Sequence, residues 1–253
     1  MWTALGRDPS SVCLILLVGI AAGLLRGFTG FGSALLIVPA LSLALGPTSA
    51  VAIGTLLEGL ASLLLVPAAL KVADRRLMLF MSPAAAVAVP LGHTLLVYLD
   101  PTISNLAISG VVTVMAVLVF AGSGLPFPRD VRGHIGAGLF SGFLTGFGGV
   151  GGPPLVLYIL ALDGVSAVKR ASIIVVSALA LIVAFASLAF HGLLTSEALT
   201  GATVLAPAFF LSIVIGARLF HVAGERFFQG VAISALLLAA ICLFATNLMR
   251  ALV

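Results

Sequence analysis

Charge is the scarcest thing in this sequence. Of 253 residues, 12 are Lys or Arg and 8 are Asp or Glu, so 8% are charged while 62% are hydrophobic. A soluble domain carries roughly 25% charged residues, and this composition cannot coat a soluble globule of such a size, which excludes a soluble enzyme. Lipid is the alternative solvent. A spanning helix needs about 20 mostly apolar residues, and the chain holds many such runs. Cysteine is almost as scarce: Cys13 and Cys242 both lie inside apolar runs, without metal-ligand spacing, and read as small buried hydrophobes. The four histidines are scattered, with no His-Glu-x-x-His pair, and no phosphate-binding loop of the Walker kind exists. Metal-dependent hydrolysis and ATP hydrolysis by this chain are therefore not expected, and no cofactor is implied.

What charge there is leans positive, a formal +4 with an isoelectric point near 9.7. The basic residues are spread over short loops with no interleaved aromatics, so no nucleic-acid partner is expected, and orientation in a membrane is the first reading. Arg7 precedes an apolar stretch from Ser11 that runs on into further spans without a small-x-small cleavage site. The N-terminus is expected to be retained.

Full-length apolar runs fall at about 48–70, 77–98, 102–122, 171–192, 198–220 and 227–249. Two further regions, about 11–45 and 133–162, are interrupted by glycine clusters: Arg26-Gly27-Phe28-Thr29-Gly30-Phe31-Gly32-Ser33 and Thr145-Gly146-Phe147-Gly148-Gly149-Val150-Gly151-Gly152-Pro153-Pro154. Glycine and proline cost about 1 and 3 kcal/mol per helix-interior position relative to alanine, so each cluster should break its helix into two short pieces.

The two regions also match. Thr29-Gly30-Phe31-Gly32 returns as Thr145-Gly146-Phe147-Gly148, Ser49-Ala50-Val51 as Ser166-Ala167-Val168, the Pro83 and Gly92 pair as Pro207 and Gly216, and Ala107-Ile108-Ser109 as Ala232-Ile233-Ser234. Four matches in order, with offsets drifting only from 116 to 125, predict two repeats, 1–122 and 133–253, joined by a linker at 123–132. Nine of the twelve basic residues (Lys71, Arg75, Arg76, Arg129, Arg132, Lys169, Arg170, Arg218 and Arg226) fall in alternate loops, while the loops near Gly46, Asp100 and Gly192 have none. The positive-inside rule makes the nine, and the linker, cytoplasmic. The region 133–162 must then enter and return as a re-entrant hairpin. Each repeat becomes one hairpin plus three spans, the repeats are inverted, and both termini are extracytoplasmic. The expected fold is an all-α polytopic membrane protein, counted as 8 to 10 membrane segments.

Inverted repeats with broken helices are a transporter architecture, with the substrate near the bilayer midplane at the breaks. A broken helix exposes N–H groups that lipid cannot satisfy, and a small anion can satisfy them with help from the helix dipole. Ser33 is placed to cap the first downstream helix, and Pro153 or Pro154 suits the first turn of the second. Thr29 and Thr145 can donate hydroxyl hydrogen bonds, and Gly30, Gly32, Gly146, Gly148, Gly149, Gly151 and Gly152 permit close approach. Phe31 and Phe147, each flanked by glycines, can gate the site. The competing reading is packing through small-xxx-small contacts, as in Gly138-Leu139-Phe140-Ser141-Gly142. Ionisable groups in apolar runs are functional candidates: Arg26 as a fixed positive charge, Glu58 as a protonatable coupling or gating group, salt-bridged to Arg26, and His93 as a second coupling candidate. Lys169 and Arg170 can draw anions to the cytoplasmic mouth.

The paired glycine motifs, the run Gly151-Gly152-Pro153-Pro154-Leu155, the duplicated halves and the length make the whole chain resemble the TauE/SafE sulfite exporter family. The resemblance implies export of small sulfur oxyanions or organosulfonates across a bacterial inner membrane. The function expected is secondary transport of a small anion by alternating access, with a proton or Na+ as coupling ion. A passive anion channel shares these features, and an intramembrane enzyme, which lacks its clustered catalytic groups, is the weakest alternative.

Overall fold

The computed structural model describes residues 9–120, 127–222 and 234. Among them the chain is helical without strands: α1 (Pro9–Thr29), α2 (Ser33–Leu45), α3 (Pro47–Ala69), α4 (Arg75–Tyr98), α5 (Pro101–Phe120), α6 (Val131–Gly148), α7 (Gly152–Leu160), α8 (Ser166–Phe190) and α9 (Ser196–Val222). The run expected at 227–249, apart from residue 234, and residues 123–126 of the expected join lie outside the described residues.

Several starts follow from local chemistry. Asp74 caps α4 by accepting from Arg76 N at 2.7 Å and Leu77 N at 3.3 Å, and Asp130 caps α6 through Gly133 N at 3.0 Å. Asp100 accepts from Thr102 N at 2.8 Å ahead of α5, and that bond holds its carboxyl below the usual carboxylate range. Among the described residues, three helices are long and apolar enough to cross a membrane, Arg75–Tyr98, Ser166–Phe190 and Ser196–Phe220. Leu79, Val87 and Leu91 on α4, Ile182 and Phe185 on α8 and Leu211 on α9 are exposed, the face that lipid covers in a multi-pass membrane protein. Prolines stand inside α3, α4 and α9, as membrane-spanning helices tolerate.

α4 packs chiefly on α6, and α1 on α9. Both pairs approach so closely that glycine is required. A methyl on Gly146 would lie 2.1 Å from Val89 O, and one on Gly92 would lie 2.2 Å from Phe143 O. In the other pair a methyl on Gly27 would lie 2.1 Å from Ile213 O, and one on Gly216 would lie 2.2 Å from Leu24 O. Gly138, Gly142 and Gly146 meet α4 in ascending order at Met81, Ala85 and Val89, so α6 runs alongside α4 in the same sense. Gly23 and Gly27 meet Phe209 and Ile213, so α1 runs in the same sense as α9. Between these pairs α3 crosses α8, its late residue Ala69 packing on the early residues Ala171, Ile174 and Val175.

The matching contacts set a register between the two broken regions that differs from the one the identical letters suggest. Gly146 occupies the contact position of Gly27, and Phe147 that of Phe28. The backbone agrees: Gly30 (φ 85°) and Gly149 (φ 66°), which lies 119 residues later, both take the left-handed conformation that favours glycine. Thr29-Gly30-Phe31-Gly32 therefore does not overlay Thr145-Gly146-Phe147-Gly148. The first motif contains the break, whereas the second is the last turn of α6. Residue 26 corresponds to 145.

The hairpin arms are also unequal. α6 has 18 residues and α7 only 9, about 27 Å and 14 Å of helix. Val150 N donates to Leu144 O, and Ser141 Oγ donates to Gly151 O at 2.7 Å, so the chain folds back along the last turns of α6 before α7 begins. Tyr158 near the end of α7 returns to the start of α6, its hydroxyl 2.8 Å from His134 Nδ1 and donating to Pro128 O at 2.9 Å.

Candidate functional site: a cavity between two helix breaks

The two breaks meet. A methyl on Gly149 would touch Val38 and Ala34 of α2, and one on Gly152 would touch Phe31. Beside that meeting point is a cavity of about 20 Å³ walled by Arg26, Gly32, Ala34 and Glu58 on one side and by Ser141, Thr145, Gly149, Gly151, Gly152, Pro153 and Ser177 on the other. Such a volume holds one water.

Charge in its wall comes from one ion pair. Arg26 is 1% exposed, the largest fully buried side chain among the described residues. Its Nη1 lies 3.8 Å from Glu58 Oε2 and its Nη2 donates to Ser62 Oγ at 3.2 Å, while Nε has no partner. Ser62 Oγ in turn donates to Glu58 O at 2.9 Å. A guanidinium carries five N–H donors, so Arg26 retains capacity for an acceptor in the cavity.

Glu58 satisfies the first turn of α2. Its Oε1 accepts from Ser33 Oγ at 2.5 Å and from Ala34 N at 3.1 Å. The expectation that Ser33 caps α2 is therefore corrected: Gly32 is the N-cap, without a side-chain cap bond, and Ser33 follows it with its hydroxyl turned to Glu58. A carboxylate 25 residues away does the capping because lipid supplies no water for those donors. At α7, Pro153 and Pro154 occupy the first turn and have no N–H, which leaves Gly151 and Gly152 as the residues with amides to offer.

The hydroxyls at the site are engaged with backbone carbonyls. Thr145 Oγ1 donates to Ser141 O at 2.9 Å and Ser177 Oγ to Ile173 O at 2.6 Å, so a ligand must draw them into new rotamers. The side chain of Thr29 lies outside the described residues. Gly146 serves the packing of α6 on α4, and Gly148 meets Ile108 of α5. Phe147 is buried and stacks on Phe143, their centroids 6.1 Å apart, and Gly30 lies against Ile174 and Arg170 of α8. None of these lines the cavity. Phe31 is fully buried at the start of α7. His93 belongs to a separate cluster between α4 and α8: its Nδ1 is 2.8 Å from Ser187 Oγ, His191 Nδ1 is 2.8 Å from Ser187 O, and Thr94 Oγ1 is 3.3 Å from His191 Nε2.

Sequence reading missed Ser62, Ser141 and Ser177, whose letters are common in apolar helices. It also missed what Arg170 does. Rather than standing free at a mouth, Arg170 donates from Nε to Phe28 O at 2.9 Å and from Nη2 to Gly27 O at 2.5 Å, and its guanidinium lies 4.2 Å from the Phe220 ring centroid. It ties the carbonyl end of α1 to α8 and α9. Lys169 Nζ similarly donates to Leu160 O at the end of α7, at 3.1 Å.

The family model described as Sulfite exporter TauE/SafE matches residues 15–243. No curated protein and no solved structure gives a significant match to the chain.

Proposed function

The chain belongs to the sulfite exporter TauE/SafE family, a family of membrane transporters rather than enzymes, and on that premise we propose that it is a secondary transporter of one small anion, a sulfur oxyanion such as sulfite or an organosulfonate, bound between the two helix breaks. The observation that carries this reading is Arg26: a buried cation with an unpartnered Nε in the wall of a cavity to which both broken helices contribute. The dipole ends of α2 and α7 add to its attraction for an anion. The site set comprises Arg26, Gly32, Ser33, Thr145, Gly149, Gly151, Gly152 and Pro153. Thr29, Gly30, Phe31, Gly146, Phe147 and Gly148 shape the breaks and their packing, and Phe31 gates the start of α7. Glu58 couples or gates, with His93 as the second candidate and a proton or Na+ as coupling ion.

Alternating access around inverted repeats is the mechanism favoured. Its support is the reciprocal packing of α1 on α9 and α6 on α4, together with the opposite senses of α1 and α6. These follow because α3 runs with α9, Ser49 bonding Glu197 and Gly201 meeting Ile53, but against α8, Ala69 packing on Ala171 and Ile174, while α4 runs with α8, Asp74 N donating to Ser172 Oγ at 2.9 Å and His93 lying 2.8 Å from Ser187. The cavity has room for one water and is smaller than a four-heavy-atom anion needs, so its walls must part for substrate to bind. The bacterial inner membrane, extracytoplasmic termini and a cytoplasmic 123–132 linker complete the proposal.

The test is a thermal-shift screen of purified protein with sulfite, sulfate, thiosulfate, sulfoacetate, formate and chloride, followed by flux in liposomes. Stabilisation by a sulfur anion and gradient-coupled accumulation are expected. Stabilisation by none of these anions refutes the anion site, and conductance far above carrier turnover replaces the carrier with a channel.

A further inference from the structure

The carboxylate of Glu58 already sits where a substrate anion belongs. Helix starts flanked by arginine hold free oxyanions through backbone amides and charge-assisted bonds. Here the donors of the α2 start, Ser33 Oγ and Ala34 N, and the adjacent Arg26 face an anion tethered to α3. The neighbouring Arg26 Nε is unpartnered, so the wall has capacity for an acceptor. The remaining space of about 20 Å³ is enough for one water. A sulfur oxyanion fits only if the carboxylate yields ground.

Charge balance says how it yields. Glu58 is faced by Arg26 from α1, by Ser33 from α2 and by Ser62 of its own helix. α6 and α8 bring Ser141, Thr145 and Ser177 to the cavity and α7 brings Gly152 and Pro153, all neutral. Arg170 of α8 acts electrostatically on Arg26 but spends its donors on α1 carbonyls. Glu197 of α9 bonds Ser49, more than two turns before Glu58. Among the residues that line the cavity, Arg26 and Glu58 are the charged ones, and they cancel. A monoanion added alone leaves a net negative charge in a poorly solvated interior, which is strongly unfavourable. A proton on Glu58 restores neutrality and turns the carboxylate into a weaker acceptor for the α2 donors.

We propose that Glu58 is a built-in stand-in for the substrate: each single negative charge that binds displaces its carboxylate from Ser33 Oγ, Ala34 N and Arg26 and is accompanied by one proton taken up on Glu58. This rests on the anion-transport reading above and fixes its coupling ion as the proton. The balance is simple, since one proton moves from solvent to a Glu58 oxygen and no other covalent bond changes.

The experiment is calorimetric titration of the purified protein with methanesulfonate, a monoanion at every working pH, and with sulfite in parallel. Buffers of differing ionisation enthalpy report protons taken up on binding. For wild type with methanesulfonate, uptake of about one proton per anion and a Kd that weakens about tenfold per pH unit rise are expected. For Glu58→Gln, no proton uptake, a pH-independent Kd and affinity roughly tenfold or more tighter at pH 7.5 are expected, because the competing charge is gone. Wild-type binding without proton uptake overturns the proposal and leaves the transport reading intact. Proton uptake that persists in Glu58→Gln overturns the assignment to Glu58. If neither anion binds either protein, the anion-transport reading itself fails and takes this inference with it.

Discussion

Replacing Arg26 by methionine removes the cation from the buried pair while keeping a side chain that fills its space. The Arg26 Nη1 to Glu58 Oε2 distance of 3.8 Å corresponds to roughly 4 kcal/mol of attraction at an effective dielectric near 20, much of it offset by the desolvation of both groups. Removing one partner from such a pair costs about 3–5 kcal/mol, because the other charge is left uncompensated. In Arg26→Met the orphan is Glu58, and in Glu58→Gln it is Arg26. In the double variant the amide oxygen of the introduced glutamine still accepts from Ser33 Oγ and Ala34 N, no charge remains, and the cost falls to about 1–2 kcal/mol for the lost Ser62 bond and altered packing. The assay is thermal unfolding in detergent with gluconate as the buffer anion, since gluconate is too large for the cavity. At about 2–4 °C per kcal/mol for a chain of this size, each single variant should lose roughly 6–20 °C and the double variant roughly 2–8 °C. Losses that simply add in the double variant would refute the view that the two charges form one unit.

Three further outcomes follow from the packing and the closures. Gly142→Ala puts a methyl 2.0 Å from Ala85 O and should destabilise by about 1–3 kcal/mol, whereas Gly110→Ala in α5 meets nothing within 4 Å and should be neutral or stabilising by up to about 1 kcal/mol; paired melting curves check both. Arg170→Gln should lower stability by about 1.5–3 kcal/mol through the lost bonds to Gly27 O and Phe28 O and raise hydrogen exchange at the end of α1, where an unchanged exchange pattern would show that α1 does not need the tie. Tyr158→Phe should cost about 1 kcal/mol through the bond to Pro128 O and leave anion affinity unchanged, since Tyr158 lies at the far end of α7 from the cavity.

How much of this was legible in the letters depended on how local its cause was. The breaks at Gly30–Gly32 and Gly149–Gly151 were readable because several glycines together oppose a continuous helix whatever surrounds them. The depth of Arg26 and Glu58 was readable because a charge in an apolar run is conspicuous, and the pairing expected between them is present in the structure at 3.8 Å. The register between the two halves was not. Identical letters at Thr29-Gly30 and Thr145-Gly146 suggested an offset of 116, but the backbone contacts align residues 119 apart, because what is repeated is close helix approach and a left-handed turn rather than a tetrapeptide. That register sets Arg26 opposite Thr145, and in the cavity wall Arg26 and Glu58 from one half face the neutral hydroxyls Ser141, Thr145 and Ser177 of the other. The capping of α2 by Glu58 was equally hidden, since Ser33 has the residue type of a cap and only the fold brings a carboxylate within reach. His93 looked like a companion of Glu58 because both are ionisable groups in apolar runs, yet the packing of α4 on α8 gives it to Ser187 instead.

The central claim is that one small anion binds between the two helix breaks, and a structure of the protein with sulfite bound tests it most directly. The account predicts anion density within hydrogen-bond distance of Arg26 and of the Gly151 or Gly152 amide, with Glu58 withdrawn from Ser33. Density at another position, such as beside Lys169 and Arg170 or at the His93 cluster, with the Glu58 to Ser33 bond intact, would contradict it.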